Sequence, residues 1–195
     1  MMNEEEVKTL LKKTRAILEG HFLLTSGLHS SLYVEKFNVL QHPEYTEQLC
    51  RDIAEYFQGR GIQTVIGPAT GGIILSQVTA RILGVRSIFT ERENGVMALR
   101  RGFHIDPGEK VLIVEDIVTT GGSIKEVVNV VNRAEGDIVG IGLLVDRSGG
   151  QADFGVPKNK VHPLLHLEVP TYKPEECPLC KKHIPLTERG SHHLK

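Results

Sequence analysis

The run Val111-Leu112-Ile113-Val114-Glu115-Asp116-Ile117-Val118-Thr119-Thr120-Gly121-Gly122-Ser123 constrains this chain more than any other stretch of it. Its first four residues are a short, fully apolar run of the kind that forms a buried strand in a parallel sheet. Two adjacent carboxylates close that strand, and a turn of hydroxyls and glycines then opens a helix through about Arg133. In open α/β sheets, ligands sit at the carboxyl ends of the strands. The start of a helix offers unpaired N–H groups and a partial positive charge, which suits a phosphate dianion. Gly121 and Gly122 let the backbone approach such an anion closely, and Thr119, Thr120 and Ser123 add hydroxyl donors. Glu115 and Asp116 would repel it. They are better suited to accept hydrogen bonds from two vicinal hydroxyls, such as those of a ribose, or to hold a hydrated Mg²⁺. The plainer alternative is a capped helix after a strand, with the acids as solvated turn residues. No Gly-Lys-Ser/Thr follows the turn and no Gly-x-Gly-x-x-Gly is present, so neither the P-loop nor the dinucleotide fingerprint applies.

The remaining pattern predicts the setting. Residues 3–19 fit an amphipathic helix stopped by Gly20, residues 21–36 are extended, and 43–59 form a second helix. A strand at 64–66, a helix over 71–83 and a strand at 86–90 follow. Residues 91–110 read as irregular and charged, and 139–145 as one more strand. Strands alternating with helices imply βαβ units and an α/β fold: a mostly parallel twisted sheet flanked by helices. Gly67-Pro68-Ala69-Thr70-Gly71-Gly72 also joins a strand to a helix, and forms a second candidate anion loop. The last 25 residues, with Pro170, Pro174, Pro178 and Pro185, read as an irregular tail. The chain has 195 residues, 40% of them apolar, which suits one domain with its own core. A net charge of −1 gives no basic surface for nucleic acid. The absence of a long apolar run or a secretory h-region predicts no membrane span and a cytoplasmic protein.

Residues 115–123 resemble, position by position, the ribose- and phosphate-binding motif of the type I phosphoribosyltransferases. In that family the acidic pair holds the ribose hydroxyls of 5-phospho-α-D-ribosyl 1-diphosphate (PRPP), and the loop made here by Ile117, Val118, Thr119, Thr120, Gly121, Gly122 and Ser123 cradles its 5′-phosphate. Ala69, Thr70, Gly71 and Gly72 resemble the family's diphosphate loop, which often holds a non-proline cis peptide. Two further stretches, Phe22–Val34 and Leu144-Val145-Asp146-Arg147, resemble the members that act on orotate. The resemblance implies that Arg147 contacts the orotate carboxylate, that Thr119 also touches orotate, and that Tyr33 and Val34 line the base site. A bidentate Arg suits a planar carboxylate, which purines lack. It further implies residues 1–40 and part of the 170–195 tail as a small hood over an α/β core at 41–150, and a homodimer sharing a mobile loop. Mg²⁺ is expected as cofactor, held mainly by PRPP and water with no direct protein ligand. The product would be orotidine 5′-monophosphate, a pyrimidine nucleotide. Two alternatives stay open: a purine-type phosphoribosyltransferase, and a PRPP-sensing regulator on the same fold.

The sequence departs from many relatives, which carry lysines where this chain has Thr25 and Gly71, and a Lys-rich loop where it has Glu91–His104. By charge, Arg92, Arg100 and Arg101 could neutralise the departing diphosphate, with Arg92 taken as catalytic, and Lys36 could replace a missing lysine. His104 reads as a surface residue. The three cysteines, Cys50, Cys177 and Cys180, are too few for a disulfide framework. Cys177, Cys180 and His183 supply three possible zinc ligands, leaving Cys50 or His192 to fold back as the fourth. The expectation for this CxxC is a structural or incidental role.

Overall fold

The structure, a computed structural model, describes residues 1–24 and 26–188. Helix α1 (Glu4–Lys13) begins with a capping box: Asn3 Oδ1 accepts from the Glu6 N–H, and the Glu6 carboxylate accepts from the Asn3 N–H. It stops six residues short of the expected end (19 against 13). The Ala16 N–H reaches the Leu11 carbonyl and the Arg15 N–H reaches that of Lys12, the two bonds of a Schellman end. Arg15 takes the left-handed position there, at φ 57°. Residues 17–19 therefore enter β1 (Ile17–Leu23), and Gly20 sits at that strand's register irregularity rather than at a helix stop.

Strand β1 pairs antiparallel with β2 (His29–Val34). Helices α2 (Phe37–Leu40) and α3 (Pro43–Phe57) lead into the main sheet. Its elements run β3 (Thr64–Pro68), α4 (Gly71–Leu83), β4 (Arg86–Glu93), β5 (Val96–Leu99), β6 (Lys110–Val118), α5 (Gly122–Arg133), β7 (Asp137–Asp146) and β8 (Val161–His166). The spatial order is β5-β4-β3-β6-β7-β8, with every pair parallel except β4–β5. This is the mostly parallel α/β sheet that the alternation implies.

Alternate residues of β6 feed the two faces. Leu112 and Val114 pack with Leu49 and Ile53 of α3 and Leu75 of α4, while Val111 and Ile113 pack with Ile124, Val127 and Val131 of α5. Burying each such side chain contributes about 1.5–3 kcal/mol.

Three further expectations need correction. Residues 91–110 are not all irregular: β4 runs on to Glu93 and turns through Asn94 (φ 51°) and Gly95 (φ 81°) into β5. Positive φ at both turn residues fits a type I′ hairpin, which Asn-Gly favours. Strand β8 occupies a stretch with no predicted element. The tail is also partly regular, with β9 (Thr171–Tyr172), a short helix α6 (Pro178–Lys181) and β10 (Thr187–Glu188). Strands β10 and β9 flank β1 and β2 in a second, four-stranded sheet of order β10-β1-β2-β9, so both ends of the chain build one small layer. Among the described residues, no helix is long and apolar enough to cross a membrane.

Candidate active site

Strand β6 does not end at its acids, as the sequence suggested, but continues to Val118, because β7 pairs with it as far as Val118↔Asp146. The acids are consequently more enclosed than turn residues would be: Glu115 is 7% and Asp116 2% exposed. As neighbours on a strand they face opposite sides of the sheet. Glu115 lines a small cavity of about 70 Å³, walled by Thr119, Thr120, Gly121, Gly122 and Ser123. Asp116 faces the start of α4.

The phosphate-loop candidate is shaped by Gly121, which has φ 82° and stands at the head of α5, with an exposed Gly122 and Ser123 behind it. A Cβ at Gly121 would lie 2.9 Å from the Phe154 ring, so both backbone conformation and space select glycine. No side chain caps α5, which leaves its first N–H groups open toward the turn.

The second loop meets the first at Asp116. A Cβ on Gly71 would fall 1.9 Å from Asp116 Oδ2, so the α4 backbone rests directly against that carboxylate. The peptide between Ala69 and Thr70 is cis, and the Ala69 N–H donates to the Thr90 carbonyl at 2.7 Å. Lys36 completes the group: its Nζ donates to Asp116 Oδ1 at 3.1 Å and stands 2.9 Å from Oδ2, a contact that is electrostatic rather than a hydrogen bond. Asp116 Oδ1 also accepts from the Ile117 N–H, and Glu115 Oε1 from the Asp116 N–H. Burial pushes the Glu115 carboxyl well above the usual range, and the Asp116 charge adds to this. Burial raises Asp116 too, against the opposing pull of Lys36. Two desolvated carboxyls with one ammonium form a site that gains from hydroxyl donors or a further cation.

The register of β6 and β7 fixes the base-side candidates. Val118 and Asp146 are partners, so Thr119 and Arg147 leave the sheet side by side, and the Arg147 N–H donates to the Val118 carbonyl at 2.8 Å. Asp146 does not pair with Arg147; its carboxylate accepts from the Ser148 N–H instead. Arg147 is half-buried, and its Nε is buried without a hydrogen-bond partner among the described residues. Burial pulls its guanidinium down, with Tyr33 opposing, which puts Tyr33 of β2 within electrostatic reach. Tyr33 is half-buried with its ring 5.6 Å from Phe22, and Val34, next to it on β2, is buried.

The basic residues of the hairpin are otherwise engaged. Arg92 donates to the Gly95 carbonyl and pairs with Glu126 of α5, Arg100 pairs with Glu93, and Arg101 pairs with Glu91. Arg92 would have to exchange Glu126 for a substrate to act on it. His104 is exposed beside Asp106. Thr25 and His192 lie outside the described residues. A separate cavity of about 540 Å³, lined by residues of α3, the loop after it and the end of α4, shares none of the residues above.

A turn of hydroxyls and glycines at the carboxyl edge of a parallel sheet, flanked by two carboxyls, has the form of a site for a phosphorylated sugar. Residues 38–154 match the family described as "Phosphoribosyl transferase domain". The orotate phosphoribosyltransferase of Desulforamulus reducens is 54% identical over 193 residues, 99% of this chain and 100% of that protein. The crystal structure of orotate phosphoribosyltransferase from Aeropyrum pernix superposes with a TM-score of 0.66 at 25% identity, covering 83% of this chain and 93% of that one. Adenine phosphoribosyltransferase from Rhodothermus marinus gives 0.65 at 26%, covering 82% and 99%. The chain belongs to the phosphoribosyltransferase family and, by its full-length relatives, to the orotate phosphoribosyltransferases within it.

Proposed function

We propose that this chain transfers ribose 5-phosphate from PRPP to a ring nitrogen of orotate, giving orotidine 5′-monophosphate and diphosphate in pyrimidine nucleotide synthesis. The observation that carries the choice of base is Arg147. The same fold serves adenine enzymes, so the sheet alone does not choose. A half-buried guanidinium with an unpartnered Nε, one residue from the phosphate turn across the β6–β7 register, suits an anionic planar base and would be left unsatisfied by a purine.

In this reading the turn Thr119–Ser123 and the head of α5 bind the 5′-phosphate through backbone N–H groups. Glu115 and Asp116 accept from the ribose hydroxyls. Since they face opposite sides of the strand, the diol lies across its end. Ala69–Gly72 receives the diphosphate, with Lys36 brought near it through Asp116, against which Gly71 lies. The C1–O bond to diphosphate breaks through an oxocarbenium-like transition state, and the base nitrogen attacks C1 with inversion. The protein contributes positioning and a fixed electrostatic field. Magnesium fits: two buried carboxyls whose sole ion-pair partner among the described residues is Lys36 suit a hydrated divalent cation brought by PRPP. When bound it would neutralise charge on the departing diphosphate. Arg92 joins the catalytic group only after release from Glu126. The homodimer with a shared loop and the cytoplasmic location belong to the same reading.

The test offers PRPP and Mg²⁺ with orotate, adenine, hypoxanthine or xanthine and identifies the nucleotide by mass spectrometry. Orotidine 5′-monophosphate from orotate alone is the expected result. A purine nucleotide in its place would move the chain to the purine enzymes, and no nucleotide with intact PRPP binding would favour a sensor.

A further inference from the structure

Outside the proposed catalytic site, four side chains from two distant parts of the chain converge. His21 comes from β1, His29 from β2, and Cys177 and Cys180 from the start of α6. Their candidate ligand atoms all lie within 4.8 Å of one another. His21 Nε2 is 2.9 Å from His29 Nδ1, 3.5 Å from Cys177 Sγ and 3.7 Å from Cys180 Sγ, and Cys180 Sγ is 3.3 Å from His29 Nδ1. Tetrahedral zinc with ordinary Zn–N and Zn–S bonds has ligand–ligand edges of about 3.3 Å (N–N), 3.6 Å (N–S) and 3.8 Å (S–S). The set approaches that tetrahedron, and its widest separation need close by about 1 Å.

We infer that this cluster is a structural zinc site, Cys177-Cys180-His21-His29, that fastens the C-terminal tail to the small sheet. Three observations support it beyond distance. The tautomer is set: His21 Nδ1 lies 2.8 Å from the Ile184 carbonyl, which can only accept, so Nδ1 carries the proton and Nε2 turns a lone pair into the cluster. One hydrogen bond would satisfy that lone pair, yet three groups crowd it. The charge also balances: two thiolates and two neutral imidazoles around Zn²⁺ sum to zero, as a site this buried requires, with His21 3%, His29 5% and Cys177 0% exposed. Finally, the tail has little else to hold it. Cys177 is the only buried residue between Lys173 and Leu186, and β9 and β10 are two residues each. Soft sulfur and imidazole donors select zinc over Mg²⁺ or Ca²⁺, and four protein ligands leave no open position for chemistry.

The ligand set differs from the one the CxxC alone suggested. His183 is exposed and outside the cluster. Cys50 is buried in α3, its Sγ donating to the Leu75 carbonyl, with burial pushing its thiol up to about 12.

The experiment is elemental analysis of the full-length, untagged protein, purified without chelator from zinc-supplemented cells. About one zinc per chain is expected. C180S and H29N should retain less than roughly a tenth of it, and H183N should retain it all. Because the ligand variants could misfold, native protein is also exchanged into Co²⁺. Tetrahedral d–d bands with a thiolate charge-transfer band support the site, and their absence counts against it. Metal-free native protein that takes up neither Zn²⁺ nor Co²⁺, or a Cys177–Cys180 disulfide in freshly purified protein, would overturn the inference. These readouts are independent of turnover, so the site stands or falls apart from the proposed reaction.

Discussion

Asp116→Asn separates the proposed role of the carboxylate from its contribution to the fold. The residue is 2% exposed and the amide is nearly isosteric, so no cavity forms. The amide oxygen can still accept from the Ile117 N–H, now made at 2.7 Å. What is lost is the ionic contact with Lys36, whose side chain is about one-third exposed and can turn to water. What is gained is relief from holding a desolvated carboxylate. The two nearly offset, and the expected change in unfolding free energy at pH 7 is within about 1 kcal/mol. Its pH dependence has a definite sign. Burial raises Asp116 in the folded chain, so wild type is most stable below the unfolded carboxyl pKa and loses stability as pH rises through the folded one. The variant lacks that loss, so its stability relative to wild type should improve from acid toward neutral pH. Turnover should move the other way. A hydrogen bond from a ribose hydroxyl to a charged acceptor contributes about 1.5–3 kcal/mol, or about 10- to 150-fold in kcat/KM for PRPP. Urea unfolding at several pH values and steady-state kinetics of orotidine 5′-monophosphate formation measure both. Activity within threefold of wild type, or a stability loss above about 3 kcal/mol, would refute the reasoning.

Three further substitutions probe other contacts. Arg147→Leu should raise the KM for orotate about 10- to 150-fold while leaving that for PRPP nearly unchanged, and an unchanged orotate KM would remove Arg147 from the base site. Gly121→Ala places a Cβ 2.9 Å from Phe154 at a φ of 82°; it should cost about 1–2 kcal/mol in stability and weaken PRPP binding in calorimetry, whereas unaltered binding would show the turn is not the phosphate site. Arg86→Met strips a buried carboxylate of its cation: burial pushes the Glu109 carboxyl up, but hydrogen bonds from Thr64, the Asp106 N–H and Arg86 outweigh this and hold it below the usual range. Such a depressed group stabilises the fold above its unfolded pKa and loses that effect as pH falls through the folded one, so the variant should lose about 3 kcal/mol at pH 7 and less near pH 4; a loss under about 1 kcal/mol at pH 7 would mean the pair is dispensable.

What the sequence disclosed and what it hid follow from the range of the interactions involved. The β6 run, its turn and α5 were legible because apolar run, hydroxyls, glycines and helix are neighbours in the chain. The end of α1 was not, because a Schellman end with Arg15 in the glycine position leaves no compositional trace. The β4–β5 hairpin did leave one: Asn94-Gly95 between apolar stretches is a strong two-residue turn signal, overshadowed by the surrounding charges. Strand β8 was concealed by Pro163, which a sheet tolerates here because β8 is the edge strand, next to β7 alone. The depth of the acids was hidden too, since β6 extends past them only by pairing with β7. For the metal cluster the CxxC was visible, but its histidines lie as far as 159 residues away, and only the small sheet brings them together.

That small sheet also divides the proposed labour of the site. The phosphate turn, the Gly71 contact and both acids belong to the main sheet and its helices, and are held by fully buried residues of β3 and β6 such as Val65, Ile66, Leu112 and Ile113. The base side is shared: Arg147 extends from β7, but Tyr33 and Val34 extend from β2, in a layer whose outer strands are two residues long. Strand β2 carries His29 at one end and Tyr33 near the other, so whatever fixes His29 also sets where Tyr33 stands against Arg147. Loosening the tail should therefore disturb recognition of the base before it disturbs recognition of the sugar phosphate. In the proposed reading the parts that bind the sugar phosphate rest on the apolar core of the main sheet, while the acceptor side adds to Arg147 of that sheet a strand, β2, held in a layer that joins the two ends of the chain.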